Sequence, residues 1–371
     1  MNFEFTQEQD QLRDAVRKWV DKSYGFERRR TISTDGGFSS EAYAEIAALG
    51  LCGLYVGEDH GGMGMGPVEA MIAMEELGRG IVHEPLAQTL ICSAILGGYA
   101  GNDLQARWLP AIAEGKSIVV LAHQEPGARY RLDVCVTQAT QSNDAWVLTG
   151  HKVVVPVGDV ATAYLVPAMA GEKLGLFLIE RSSAGVNTRP YATQDNGRAA
   201  DLRLKQVKAS LISTEGQQAL EHAVDIGIAT LCAQAVGAMD KTLEITVEYM
   251  NTRKQFGLTL ANFQALRHRI ADVKMQLELA RSMSYYATLK LNAQAGERRR
   301  AMARAKYQIG LSMRFVGQSA VQLHGGIGVT DEYLLSHYFK KLTVLEMSFG
   351  DSLHHLGEVA DRMQDSAGVF A

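Results

Sequence analysis

The sequence predicts an α+β protein, mainly α: an N-terminal helical domain over residues 1–116, a central antiparallel β-domain over 117–212 and a C-terminal helical bundle over 213–371. Three observations predict it. Apolar residues recur at helical spacing through the first stretch, short β-branched runs separated by turn residues follow Gly115, and helical periodicity returns from about Glu215.

The elements follow in order. Over residues 6–22, Leu12, Ala15, Val16, Trp19 and Val20 fall on one helical face, and Thr6 with Gln9 has the form of a capping box. Further helices are expected at 40–49, 67–77, 86–96 and 103–113, separated by turns such as GGMGMG at 61–66. Strands are expected at 117–122, 145–148, 153–155 and 174–179, with the sheet ending near Val207. Residues 218–250, 263–295 and 298–323 contain no proline, and their lengths suit an antiparallel bundle.

Composition excludes several classes. With 371 residues, 47% hydrophobic and 21% charged, the chain can bury substantial cores. A formal net charge of -4 gives no long-range basic field for nucleic acid or an anionic membrane. Cys52, Cys92, Cys135 and Cys232 are widely spaced, with no zinc or disulfide framework, and read as reduced core thiols. The acidic, polar start and the lack of a stretch of about 20 uncharged apolar residues point to the cytoplasm. A nicotinamide-binding Rossmann domain needs alternating strands and helices and a glycine fingerprint straight after a strand; GGMGMG follows none and reads as a turn.

Several segments, in order, carry a resemblance. They are FEFTQEQDQLRD at 3–14, GLYVGEDHGGMGMGPVEAMIAMEELGRG at 53–80, GNDLQARWLPAIAEGK at 101–116, QEP at 124–126, TRKQFG at 252–257 with NFQALRHRIAD behind it, and VQLHGGIGVTDEY at 321–333. Over roughly residues 3–356 the chain resembles the acyl-CoA dehydrogenase family. The resemblance implies an N-terminal helical domain, a β-domain and a C-terminal four-helix bundle. It also implies FAD and α,β-desaturation of an acyl-CoA thioester, in which a carboxylate takes the α-proton, the β-hydrogen leaves as hydride to the flavin, and electrons pass to an electron-transfer flavoprotein or similar acceptor.

The same resemblance divides the cofactor site in two. Arg253 and Phe256 match the positions that meet the adenosine and pyrophosphate of a neighbouring subunit's FAD, and Gln322, Gly325 and Gly326 match the second such segment. On the ring side, Glu125 and Pro126 are kept, but Gln124 replaces a threonine and the following Gly-Ser-Asp is lost. The family's Lys-x-Trp-Ile-Thr is matched by Lys152-Val153-Val154-Val155-Pro156, without the aromatic and the hydroxyl; Trp146 reads as packing. The usual position of the catalytic glutamate is Phe349, and the alternative position is Gly227. Glu346, Asp351 and Asp225 are weak candidates for a base, because their offsets place them on other faces or as caps. His324, His337, His354 and His355 lack the spacing of a metal motif such as HExxH, and Lys340 with Lys341 forms a basic pair.

The losses fall on one half of a composite site. That pattern points to the non-base-bearing chain of a heteromer, resembling the smaller subunits that act on pimeloyl-like or steroid-derived thioesters, with a partner supplying the glutamate. The alternatives are a homo-oligomeric flavoenzyme with a relocated base or oxygenase chemistry, and a non-catalytic scaffold of the same fold.

Overall fold

Thr6 opens the first helix: its hydroxyl accepts from the Gln9 N–H (3.2 Å), and the Gln9 side chain accepts in return from the Thr6 N–H (3.0 Å). These residues belong to a computed structural model that describes residues 4–142 and 145–363. From this cap α1 (Gln7–Ser23) buries Val16, Trp19 and Val20. It is followed by α2 (Phe26–Thr34), α3 (Ser40–Ala48), α4 (Pro67–Arg79), α5 (Leu86–Tyr99) and α6 (Asn102–Ala113), with two short 3₁₀ turns between α3 and α4. The sequence reading missed α2. Its FERRRTIST segment has no apolar stripe, and Arg29 is buried because its guanidinium donates to the distant Asp195 carbonyl (3.2 Å).

The chain's contacts divide into two compact units. One holds the start of the chain to Arg28, Met71–Val82 and the described residues from Ile228 onward; the other holds Arg29–Ala70 and His83–Gly227.

The second unit contains β1 (Val119–Leu121), β2 (Gln138–Ser142), β3 (Ala145–Pro156), β4 (Ala163–Ala170), β5 (Lys173–Glu180), β6 (Val186–Ala192) and β7 (Arg198–Ser213). Strand β3 pairs β2 and β7, β7 pairs β5, and β5 pairs β4, all antiparallel; β4 returns to β2 through Gln138 and Met169. Five strands therefore close on themselves, with β1 added to β4 and β6 to β7. Most pairings are antiparallel, as expected, while β1–β4 and β2–β4 run parallel. A closed ring with an odd number of strands cannot alternate direction throughout, so one parallel seam is unavoidable. Tyr164, Leu165, Val166, Phe177, Leu178 and Leu202 are buried along these strands, on both faces of β4 and β5.

Helix α7 (Gly216–Thr252), which belongs to the first unit from Ile228 onward, leads to a two-residue hairpin, β8 (Lys254–Gln255) and β9 (Leu258–Thr259), then α8 (Gln264–Lys290), α9 (Ala295–His324), α10 (Leu334–Met347) and α11 (Ser352–Asp361). Helix α9 contacts α8, α10 and α11, and forms the centre of this bundle. Helix α7 is long and apolar enough to cross a membrane, but 94% of its most apolar window is buried inside the protein, as suits a core helix. Glycines bring α4 and α7 together: a Cβ on Gly237 would lie 1.8 Å from the Glu75 carbonyl oxygen, and one on Gly78 2.1 Å from that of Gln234. Ion pairs line this seam, Arg17 to Glu76 (2.6 Å), Arg79 to Asp240 and Glu244, and Arg281 to Glu75. Cys52, Cys92 and Cys232 are buried free thiols; Cys135 is half-buried, which corrects its expected place in the core.

Candidate functional site

On the sheet, the QEP segment and the Lys152 segment are joined by a buried ion pair. Lys152 is wholly buried; its Nζ donates to Glu125 Oε1 (2.6 Å) and the Pro167 carbonyl (2.8 Å). Glu125 also accepts from the Val136 N–H (2.5 Å), the Thr137 N–H (3.1 Å) and the Thr137 hydroxyl (2.6 Å). Burial opposes its charge, but the Lys152 ammonium and these donors prevail and hold the carboxyl down at about 2. Beside the pair, the Gln124 carbonyl accepts from the Val153 N–H (2.9 Å), and His123, Gln124, Arg129 and Cys135 line a small cleft. Burial lowers His123 to about 4, so it is neutral there.

After Lys152 the register of β3 against β7 shifts, and a bulge carries Val154. Its φ is +53°, its side chain is 49% exposed, and its N–H donates to the Tyr191 hydroxyl (3.1 Å). A β-branched residue in the left-handed region is strained and persists only where its surroundings fix it. The anchor of this motif is intact, while the side chain it presents is aliphatic. Trp146 packs against Phe177 at a ring distance of 5.3 Å.

The ADP-type residues lie in the other unit, and the structure brings the two segments together. Tyr249, one turn before Arg253 on α7, stacks on His324 at the end of α9 (4.3 Å between centroids) and donates from its hydroxyl to the His324 carbonyl (3.3 Å). Sequence reading missed this clasp; its only trace is an aromatic residue four positions before Arg253. His324 is buried, its Nδ1–H donates to the Ala320 carbonyl (2.8 Å), and burial lowers its pKa. Arg253, Gln322, Gly325 and Gly326 are all exposed. Phe256 and Gly257 form the hairpin tip with φ of +54° and +82°, a turn that fits the twist of paired strands but strains a phenylalanine. The Phe256 side chain is 92% exposed. Gly325 has φ +65° and ψ -144°, a conformation open to glycine alone, and a Cβ at Gly325 or Gly326 would meet nothing within 4 Å. These exposed positions offer a guanidinium, an amide and bare backbone, the donor types that the ADP half of a dinucleotide takes. The ring-side residues do not fit an isoalloxazine in the same way, since Val154 and Pro156 offer neither a stacking face nor a donor.

The turn at 348–350, between α10 and α11, holds the position expected for a base. Phe349 sits there, half-buried, with φ +54°. The wholly buried Lys306 on α9 donates to the carbonyls of Glu346 (2.7 Å) and Gly350 (2.8 Å). His355 donates from Nε2 to the Phe349 carbonyl (2.9 Å). Burial brings Lys306 down to about 8; burial, with the Lys306 charge, brings His355 down to about 3. The carboxylates nearby are engaged. Glu346 accepts from the Ser352 N–H (3.0 Å) and hydroxyl (2.7 Å), and Asp351 caps α11 by accepting from the His354 N–H (2.8 Å). Asp225 is 1% exposed and, with Gly227, belongs to the other unit. Lys340 pairs with Asp331, and His354 lies 3.6 Å from Glu358. Among the described residues no three His, Cys, Asp or Glu side chains are grouped to hold a metal.

Helices, a small closed sheet and a second helical region in that order define the class: a mainly α protein of α+β type with a central sheet. Residues 6–116 match the acyl-CoA dehydrogenase N-terminal domain and 214–364 the acyl-CoA dehydrogenase C-terminal domain, and the chain belongs to the acyl-CoA dehydrogenase family. A probable acyl-CoA dehydrogenase of Bacillus subtilis is 27% identical over 372 residues, covering 95% of this chain and 97% of that one. The caffeyl-CoA reductase-Etf complex subunit CarC of Acetobacterium woodii is 26% identical over 367 residues, covering 94% and 96%. Among solved structures, a variant of the Tcur3481-Tcur3483 steroid ACAD superposes with a TM-score of 0.90 at 26% identity, covering 98% and 99%.

Proposed function

We propose that this chain is the non-base-bearing subunit of a heteromeric FAD-dependent dehydrogenase that desaturates an acyl-CoA thioester between its α and β carbons. One observation carries the reading: the turn at the base position presents Phe349, and the nearby carboxylates Glu346 and Asp351 are already bonded to the start of α11. A phenyl ring accepts no proton, so the partner subunit supplies the glutamate that removes the α-proton.

Bound FAD would supply the hydride acceptor. This chain's residues would hold that cofactor's ADP half: Arg253 would offer a charged fork for phosphate oxygens, Phe256 an aromatic face, Gln322 an amide, and Gly325 and Gly326 their backbone N–H groups. Gln124 keeps a polar side chain at the ring side. The exposure of Phe256 supports the reading, because a large aromatic left in water at a strained tip is a poor choice for a chain that works alone. Likeness to a steroid ACAD favours a bulky acyl group, and likeness to a subunit of an Etf complex favours an electron-transfer flavoprotein as acceptor.

The test is the absorption spectrum and activity of the protein purified alone and after co-expression with an adjacent dehydrogenase-like subunit. Flavin and activity only on co-expression support the heteromer. A yellow, active protein from this chain alone overturns it in favour of a relocated base, and a colourless product in both cases overturns it in favour of a scaffold. Within the complex, Arg253→Ala lowers flavin content, about tenfold if a charge-assisted phosphate contact is lost.

A further inference from the structure

The outer side of the sheet carries charged groups that desaturation does not use. Strand β6 pairs β7 with Asn187 opposite Arg203 and Arg189 opposite Asp201, and β3 sets His151 against Arg203 from the other side. Residues in register point to the same face, so these side chains share one surface. Leu202 and Leu204, which alternate with them, face the opposite way and are buried. With Thr188 and Pro190, the β6 and β7 residues line a shallow cleft.

Both guanidiniums of the cleft are exposed, and neither makes an ion pair or hydrogen bond among the described residues. The carboxylate placed to neutralise Arg189 is committed elsewhere: Asp201 accepts from the Tyr191 hydroxyl (3.2 Å), the group that receives the Val154 N–H. The lining thus offers two unpaired arginines against one engaged acid. Arg189 and Arg203 occupy diagonal positions on neighbouring strands, about 7–8 Å apart at the backbone. A planar carboxylate satisfies one fork. A phosphate, with three outward oxygens and up to two negative charges, can accept from two forks, with Asn187, opposite Arg203, as a neutral donor. An added peptide strand fits less well, because Pro190 lacks an N–H on this edge.

We propose that the β6–β7 cleft is a binding site for a phosphate monoester, gripped by Arg189 and Arg203. It stands apart from the dehydrogenase reading, since none of its residues belongs to the flavin cradle or the base turn. The ligand is either free phosphate or the phosphorylated nucleotide of a larger molecule, and the two are separable.

The experiment is calorimetric titration of the purified protein, at fixed ionic strength, with inorganic phosphate, 3′,5′-ADP and citrate. Both phosphates bind, and the Arg189→Ala/Arg203→Ala double variant weakens them by at least about tenfold with an unchanged melting temperature, as exposed side chains allow. Asp201→Asn tightens binding two- to fivefold or so, by removing a like charge from the ligand's surroundings. Tighter binding of 3′,5′-ADP than of phosphate identifies a nucleotide ligand, and equal binding identifies free phosphate. Citrate binding as tightly as the phosphates, or full affinity in the double variant, overturns the proposal.

Discussion

Lys152 and Lys306 are both wholly buried, the first against a carboxylate and the second against backbone carbonyls. Glu125, paired with Lys152, has its carboxyl held at about 2 against an ordinary value near 4.5. The unfolded chain binds the extra proton between those values, so this contribution, about 3 kcal/mol, is complete above pH 4.5 and is lost as pH falls toward 2. Breaking the pair with Glu125→Gln leaves a buried ammonium without its counter-charge and costs about 3–5 kcal/mol, read as a lower urea midpoint at pH 7; an unchanged midpoint would contradict it. Lys306 titrates at about 8 rather than 10.5, so between those values the unfolded state again holds more protons and stability rises with pH. Relative to Lys306→Met, the native protein gains about 3 kcal/mol from pH 8 to 10.5, measured by denaturant unfolding of both proteins across that window. A constant gap between the two would refute the assignment. Both lysines were visible in the sequence, but their burial was not. Lys306 meets its acceptors 40 and 44 residues away, on either side of Phe349.

At the level of elements, α4 and α7 approach so closely that only glycine fits where they touch. Gly237→Ala forces its new methyl against the Glu75 carbonyl and displaces a helix, at a cost of at least about 3 kcal/mol. A drop in melting temperature of several degrees is expected, and a circular-dichroism melt that superposes on the native one would exclude the close contact. Most helices were legible because their evidence is local: periodicity, Thr6 with Gln9 at the first cap, and Gly or Pro at the breaks. Helix α2 was illegible because its buried Arg29 depends on an acceptor 166 residues away. Strands β6 and β7 were obscured by Arg189, Asp201, Arg203 and Lys205, which read as loop until pairing places them on the outer face. The loss of a carboxylate at 349 could be read directly, whereas the bonds from Glu346 and Asp351 to α11 needed coordinates, since spacing does not say which atom a carboxylate meets.

For the whole molecule, the order of helices, sheet and helices followed from changes of period along the chain. The closure of the sheet did not, because the parallel seam between β2 and β4 follows from strand order and from the odd number of strands. The hairpin at 254–259 belongs to this scale as well. It places Arg253 and Lys254, the bonds after which trypsin cuts, beside the most exposed aromatic among the described residues, on a turn held by only two residues per strand. A brief digestion therefore acts as a reporter of company. The solitary polypeptide is nicked there into two long fragments, and under the proposed heteromer the same bonds survive in the complex.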